Sequence, residues 1–410
     1  MRGALMLTIE FDSIQSMGFA VLTLLFGKWI INKFPKLEEY SLPPAIVGGL
    51  IFAIVNTILR LANLMVIKID TEYAMLFMVI YFTTIGFEAS LQALVRAKGI
   101  VSKFLFVSIL AIFVQNFLAL GLGKAFGIPG PLALLLGSPA LVGGPGTAAA
   151  VSPSIEALGF DTATSVGVIA ATLGIVLGSV SGGPVASTAI KKHNLSAKDP
   201  DASANTGDRY KSHSQRQKMT GERIAVMLYG TLVVIFLGIF VTKLLNFFVG
   251  YLVGGISFPL YIGPMIVAAT VRNISDARDK PILDDEALGF TSDISLNIFL
   301  SLTMVGLELW TILDMAIPML IIIALEAIIT IAFARYVVYK LMGNNYDAAV
   351  MTAGFIGFGM GSSSNAMACM QQLTKEYGPS PLAFLAVSIV GALFIDFVNI
   401  FMIYGFINFL

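Results

Sequence analysis

Residues 137–147 read Gly137-Ser-Pro-Ala-Leu-Val-Gly143-Gly144-Pro145-Gly146-Thr147, and residues 354–366 read Gly354-Phe-Ile-Gly357-Phe-Gly359-Met-Gly361-Ser362-Ser363-Ser364-Asn365-Ala366. Neither stretch can continue a regular helix. The first places four glycines and two prolines in eleven residues, which raises the entropy cost of ordering the chain and removes amide donors. The second has a glycine every two or three residues and then four polar side chains. Both lie in apolar surroundings; Pro131–Leu136 and Ala148–Val151 flank the first without a charge. Unpaired backbone at membrane depth is tolerated only where it is buried in protein or lines a wet cavity. Each stretch therefore reads as a re-entrant helix–turn–helix hairpin near 130–155 and 346–372, its tip close to the membrane midplane. There, free N–H groups and a helix N-terminus can hold an anion, and free carbonyls a cation.

The composition agrees with a membrane setting. Of 410 residues 57% are apolar and 12% charged, and the mean hydropathy is +0.87, whereas soluble domains carry roughly 25% charge. Basic and acidic residues balance at 25 each, so no basic face invites nucleic acid. Cys369 is the single cysteine, and His193 and His213 share one polar loop. Disulfides within the chain, multi-cysteine metal sites and an intramembrane histidine centre are excluded, and no other cofactor is indicated. Asp284-Asp285-Glu286 lacks a second acidic cluster and reads as a solvated stretch before a span. With no reactive dyad in view, an enzyme is excluded.

Apolar stretches of about 20 residues predict ten transmembrane helices near 15–33, 43–66, 72–94, 101–124, 162–189, 223–247, 251–272, 293–313, 315–341 and 380–408. The first span is expected to direct insertion itself. Residues 191–222 are rich in Ser, Asp, Asn and Lys and read as a linker. With the N-terminus outside and both hairpins returning to their side of entry, 20 of the 25 basic residues fall inside. The linker is then cytoplasmic.

Self-similarity recurs at a spacing of about 215–220 residues. Thr83-Thr84-Ile-Gly86-Phe-Glu88 matches Thr303-Met-Val-Gly306-Leu-Glu308, Ser41-Leu-Pro-Pro44 matches Ser257-Phe-Pro-Leu260, Gly137–Thr147 matches Gly354–Ser364, and Gly174 matches Gly391. Residues 1–190 and 223–410 thus form two repeats of five spans and one hairpin. Five is odd, so the second repeat is upside down relative to the first. The fold class is an all-α polytopic membrane protein of two inverted-topology repeats, an architecture of secondary transporters that bind where the breaks meet.

The expected substrate- and ion-binding residues are Gly143, Gly144, Gly146 and Thr147 at the first tip, and Gly359, Gly361, Ser362, Ser363, Ser364 and Asn365 at the second. Hydroxyl and amide oxygens suit an alkali cation and hydrogen-bond a polar solute without burying charge. Asp396 lies mid-span with Asn399 on the same helical face; it suits sodium or a substrate ammonium equally. Glu326, Gln115, Asn116, Thr83, Thr84 and Thr303 are secondary candidates, with interhelical or own-backbone hydrogen bonding as the alternative. No Lys or Arg falls clearly at mid-span, so an anionic substrate calls for a co-bound cation.

At Gly143-Gly-Pro-Gly-Thr147, Gly178–Pro184, Met342–Val350, Gly357-Phe-Gly-Met-Gly361, Tyr377–Phe384 and Gly391–Asn399 the sequence resembles the bacterial glutamate:sodium symporter (ESS) family. The likeness runs in order from first span to last, omitting the linker. It implies sodium-coupled uptake of L-glutamate across the bacterial inner membrane. It also implies a homodimer whose hairpin-bearing parts move, elevator-fashion, against a fixed scaffold in the lipid bilayer. Pro145 and Phe355 stand where the family pattern has histidine, and Glu88 and Glu308 where it has no acid. These departures leave aspartate, or a citrate-like hydroxycarboxylate, as alternative substrates, though the latter calls for a buried arginine. A channel is the other alternative, but no filter sequence is evident.

Overall fold

Asp12 starts the first helix. Its carboxylate accepts the amides of Ile14 and Gln15 at 2.9 and 2.8 Å, and the Gln15 side chain accepts the Asp12 amide in return, meeting donors that a helix start leaves open. The computed structural model describes residues 7–34, 42–92, 99–195, 220–253, 258–278 and 283–410. Helix α1 is Ser13–Lys33, α2 Pro44–Leu61, α3 Glu72–Glu88 and α4 Ile100–Phe126. The first broken segment is three pieces, α5 (Gly130–Leu134), α6 (Ser138–Leu141) and α7 (Gly144–Glu156), followed by α8 (Ala163–Lys192). Then come α9 (Gly221–Val253), α10 (Ile262–Asp276) and α11 (Asp285–Val305). Helix α12 (Ala316–Phe333) continues through a π-helical turn, Ala334–Val338, to a last turn, Tyr339–Leu341. The second broken segment is α13 (Tyr346–Gly359) and α14 (Ser363–Tyr377). Helices α15 (Pro381–Ser388) and α16 (Ile395–Ile407) are joined by a second π-helical turn, Ile389–Phe394. A short parallel pairing of β1 (Leu7–Phe11) with β2 (Met65–Ile69), Leu7 opposite Met65, precedes α1 and α3.

Among the described residues eight helical stretches are long and apolar enough to cross a membrane. The protein is an all-helical polytopic membrane protein apart from the one strand pair. The expected 72–94 span holds the 17-residue α3, and the expected 251–272 span begins inside α9 and resumes as the 15-residue α10. The 293–313 window also shifts, because α11 starts at Asp285. Asp284 caps α11 by accepting the Ala287 amide at 3.2 Å, while Arg223 of α9 donates to its two oxygens at 2.5 and 2.8 Å. That Arg223 hydrogen bond holds the Asp284 carboxyl below the usual carboxylate range. Asp285 and Glu286 are solvated, with 72% and 54% of their side chains exposed, while Asp284 is in addition a cap, which hydropathy cannot register because it counts the residue only as polar.

The helices sort into two groups. One holds α1, α2, α3, α9, α10 and α11; the other holds α4, both broken segments, α8, α12, α15 and α16. Contacts are dense within each group and sparse between them, running mainly through α7 against α11 and α16 against α3. Within the first group, helices cross glycine to glycine. A Cβ on Gly27 would lie 2.0 Å from the Pro44 carbonyl oxygen, one on Gly48 1.8 Å from that of Thr23, and one on Gly238 2.2 Å from Pro264 Cα. Without a hydrophobic drive between helices in lipid, such close approach supplies the packing energy. Replacing Gly48 by Leu should destabilise the protein by at least the ~1–3 kcal/mol typical of overpacking. Gly121→Leu, where nothing lies within 4 Å, should leave the thermal midpoint in detergent unchanged.

Candidate functional site

Gly144 makes the first break possible. Its φ of +64° is one that side-chain-bearing residues rarely adopt, and a Cβ there would stand 2.7 Å from the Gly361 carbonyl oxygen. The two breaks therefore touch backbone to backbone, at glycines in matching places of the two quoted segments. Around that contact other matching positions recur. A Cβ on Gly174 would meet Leu141 at 2.9 Å, and one on Gly391 would meet Phe358 at 3.0 Å. Gln115 of α4 donates to the Thr330 hydroxyl of α12 at 3.1 Å, 215 residues away.

Three helices hold the breaks in place. On α4, Gln115 Nε2 donates to the Gly359 carbonyl at 2.8 Å, and the next residue, Asn116, accepts the Ser138 amide at 2.9 Å. Adjacent side chains on one helix thus grip both broken segments. Asn399 of α16 donates to the Ser138 carbonyl at 3.2 Å. On α8, the Ser179 hydroxyl donates to Asn365 Oδ1 at 2.7 Å, while Asn365 Nδ2 donates to the carbonyls of Ile175 at 3.2 Å and Gly357 at 3.4 Å. Ser362 caps α14 by accepting the Asn365 amide at 3.3 Å, and Ser363 donates to the Gly391 carbonyl at 2.5 Å. The Ser364 side chain is outside the described residues.

The face turned to the other helix group is more open. A Cβ on Gly146 would lie 3.4 Å from both the Tyr81 ring of α3 and Leu296 of α11. Thr147, 3% exposed, sits behind it with its amide on the Gly143 carbonyl. The Asp396 carboxylate makes no hydrogen bond or ion pair among the described residues, and it is within electrostatic reach of Tyr81 and Glu88. Thr83, Thr84 and Thr303 turn to their own helices, donating to the carbonyls of Val79, Tyr81 and Phe299 at 2.6, 2.6 and 2.9 Å. Glu326 is fully buried on α12, and neither carboxylate oxygen has a partner. Gln115 Oε1, Asn116 Nδ2, Ser138 Oγ and Asn399 Oδ1 are likewise buried and unmet. An unmet buried polar group costs about 1–3 kcal/mol, and four of these atoms lie on residues that bond to the breaks or belong to them: Gln115, Asn116, Ser138 and Asn399. A cavity of about 690 Å³ opens between the first turns of α3 and α8 and the ends of α7 and α11. Thr303 lines it with Glu72, Glu156, Asp161 and Glu308, and among the described residues no basic side chain contributes.

Tyr81, Ser138 and Ser179 were not singled out by sequence reading. Ser138 and Ser179 lie in the quoted glycine-rich stretches and were legible there as hydroxyls beside a break. Tyr81 carried no such signal, being one aromatic residue among many in an apolar helix.

Broken helices that meet inside a multi-pass bundle, ringed by unmet polar atoms, define a membrane protein of the solute-carrier type. The chain belongs to the sodium/glutamate symporter family, whose sequence profile matches residues 9–379. It is 33% identical over 392 residues to the sodium/glutamate symporter of Escherichia coli strain K12, with 95% of each chain covered. It is 30% identical over 395 residues to that of Haemophilus influenzae, with 96% of each covered. These relatives are named as symporters, and the chain is a member of a transporter family rather than an enzyme. The sodium proton antiporter MjNhaP1 of Methanocaldococcus jannaschii aligns over 97% of each chain at 14% identity with a TM-score of 0.45. So low a score supports no functional comparison.

Gly144→Ala meets both a positive φ and the Gly361 carbonyl. It should cost roughly 1–3 kcal/mol. Gly159→Ala, at φ +95° with nothing within 4 Å, carries the backbone strain alone. The Gly144 variant should therefore show the larger fall in thermal midpoint in detergent; equal falls would mean that the breaks do not touch.

Proposed function

We propose that this protein is a secondary active transporter coupling sodium entry to uptake of L-glutamate. The family match over residues 9–379 carries the reading, and the meeting of the two breaks gives it a physical form. L-Glutamate brings two carboxylates and one ammonium. The start of α7 and the Ser362-capped start of α14 offer amides to a carboxylate. Asp396, with no partner of its own among the described residues, is the group for the ammonium or for sodium. The remaining sodium ligands come from the tip residues Gly143, Gly144, Gly146, Thr147, Gly359, Gly361, Ser362, Ser363, Ser364 and Asn365, with Asn399 beside them. An acidic cavity mouth raises the local sodium concentration and opposes a bare anion, which favours sodium loading ahead of glutamate.

In this reading ten spans and two re-entrant hairpins form the inverted repeats 1–190 and 223–410, joined by the cytoplasmic linker 191–222, with the N-terminus outside the bacterial inner membrane. The glycine contact between the breaks supports the repeat, because equivalent positions meet only near a two-fold axis. The sparse contacts between the two helix groups support an elevator movement in which the group bearing the breaks slides against α1–α3 and α9–α11, the latter forming the scaffold of a homodimer.

Radiolabelled L-glutamate uptake into proteoliposomes should require an inward sodium gradient and be blocked by excess unlabelled glutamate. Asp396→Asn should raise the sodium concentration for half-maximal uptake at least tenfold. Folded protein that takes up aspartate or citrate but not glutamate would overturn the substrate assignment, with Pro145→His as the first variant to restore it. Saturation with a fixed sodium stoichiometry separates this reading from a channel.

A further inference from the structure

Among the described residues the acidic side chain least exposed to solvent is Glu326. Glu326 is 0% exposed and lies on α12, and both of its oxygens lack a partner. One helical turn on, and so on the same face, Thr330 is 3% exposed and accepts Gln115 Nε2 at 3.1 Å. Gln115 is itself 2% exposed, and its Oε1 has no partner. The Thr330 methyl lies 3.8 Å from the position of a Cβ on Gly359, and the Gly359 carbonyl takes the other bond from Gln115 Nε2 at 2.8 Å. Behind the second break, Glu326 and Thr330 thus share a face of α12 that Gln115 reaches from α4, and both Glu326 oxygens and Gln115 Oε1 are unmet. The carboxylate and amide oxygens receive no donor from the protein.

Interhelical bonding accounts for Gln115 Nε2 and the Thr330 hydroxyl but not for Gln115 Oε1 or the two Glu326 oxygens, since such bonding matches donors to acceptors. Acceptors gathered without donors call for a cation. Among the described residues no three His, Cys, Asp or Glu side chains converge to hold a metal, so the ion must be one content with a single carboxylate and neutral oxygens. That is the donor chemistry of an alkali cation rather than of zinc or another transition metal.

We propose that Glu326, Gln115 and Thr330 form a sodium site behind the second break, separate from the one at the hairpin tips on the substrate side. The inference rests on the sodium-coupled reading above and adds to it a second ion per protomer with a defined task. Gln115 holds the end of α13 through Nε2 and the ion through Oε1. An ion bound at Glu326 therefore fixes the Gly359 carbonyl and orders the second tip before glutamate arrives.

The test uses the purified full chain in detergent without glutamate, with sodium chloride titrated against choline chloride at constant ionic strength. Sodium should raise the thermal midpoint of the wild type. Glu326→Gln, of the same shape but uncharged, should stay folded in choline and need at least tenfold more sodium for the same shift. Equilibrium binding of radiolabelled sodium should give two ions per protomer in the wild type and one in Glu326→Gln. Thr330→Val, which keeps the side-chain shape and removes one ligand, should weaken sodium severalfold and guards against a Glu326 variant that fails to fold. Unchanged sodium dependence in both variants, or one ion per wild-type protomer, overturns the site. So does a midpoint that follows pH and ignores sodium, since Glu326 would then carry a proton. None of these readings uses glutamate, so a failure of the transport assignment in the uptake assay remains distinct from a failure of this site.

Discussion

The close passage of Gly144 against the Gly361 carbonyl is the contact on which the rest of the arrangement depends. A helix in lipid must satisfy its own backbone, and a break in it strands donors and acceptors where no water can meet them. Two breaks placed together share that difficulty and its remedy. Glycine at both positions lets the chains come within a side chain's width, and the neighbouring helices supply the missing partners: Gln115 and Asn116 from α4, Asn365 by way of α8, and Asn399 from α16. Six of the polar residues that read as ligands, Gln115, Asn116, Ser362, Ser363, Asn365 and Asn399, are therefore committed, at least in part, to holding the breaks.

The division of labour among these side chains follows from their chemistry. Amides have two ends, and here each buried amide spends one end on the backbone of a break. Asn365 is met at both ends, its Nδ2 by the Gly357 and Ile175 carbonyls and its Oδ1 by the Ser179 hydroxyl. Gln115, Asn116 and Asn399 each leave one atom unmet. A side chain that is half structural and half free couples a ligand to a fold, since occupying the free end stiffens the end that grips the break. Threonine has no such reach. Thr83, Thr84 and Thr303 fold back on their own helices.

The second constraint is the contrast between glycine-tight packing within the first helix group and the thin contact between groups. Gly27, Gly48 and Gly238 permit backbone crossings that no other residue allows, making α1–α3 and α9–α11 a body that resists internal change. Where this body faces the breaks, Tyr81 and Leu296 touch the edge of Gly146 rather than interlock with it. The glycine crossings are the tighter of the two kinds of contact.

Composition and spacing alone determined that the chain is a helical membrane protein and that residues 137–147 and 354–366 break their helices. Each of these is a local property: apolar run length, and proline and glycine content. Helix starts were less legible, because a cap such as Asp284 is polar and hydropathy assigns it to the loop. Only the tertiary structure decided that Gly144 meets Gly361, that Gln115 and Asn116 reach different breaks from one helix, and that Glu326 is buried without a donor. Those facts depend on which helices become neighbours, and a side chain's partner in a bundle lies across space at separations, 215 residues for Gln115 and Thr330, that no local pattern records.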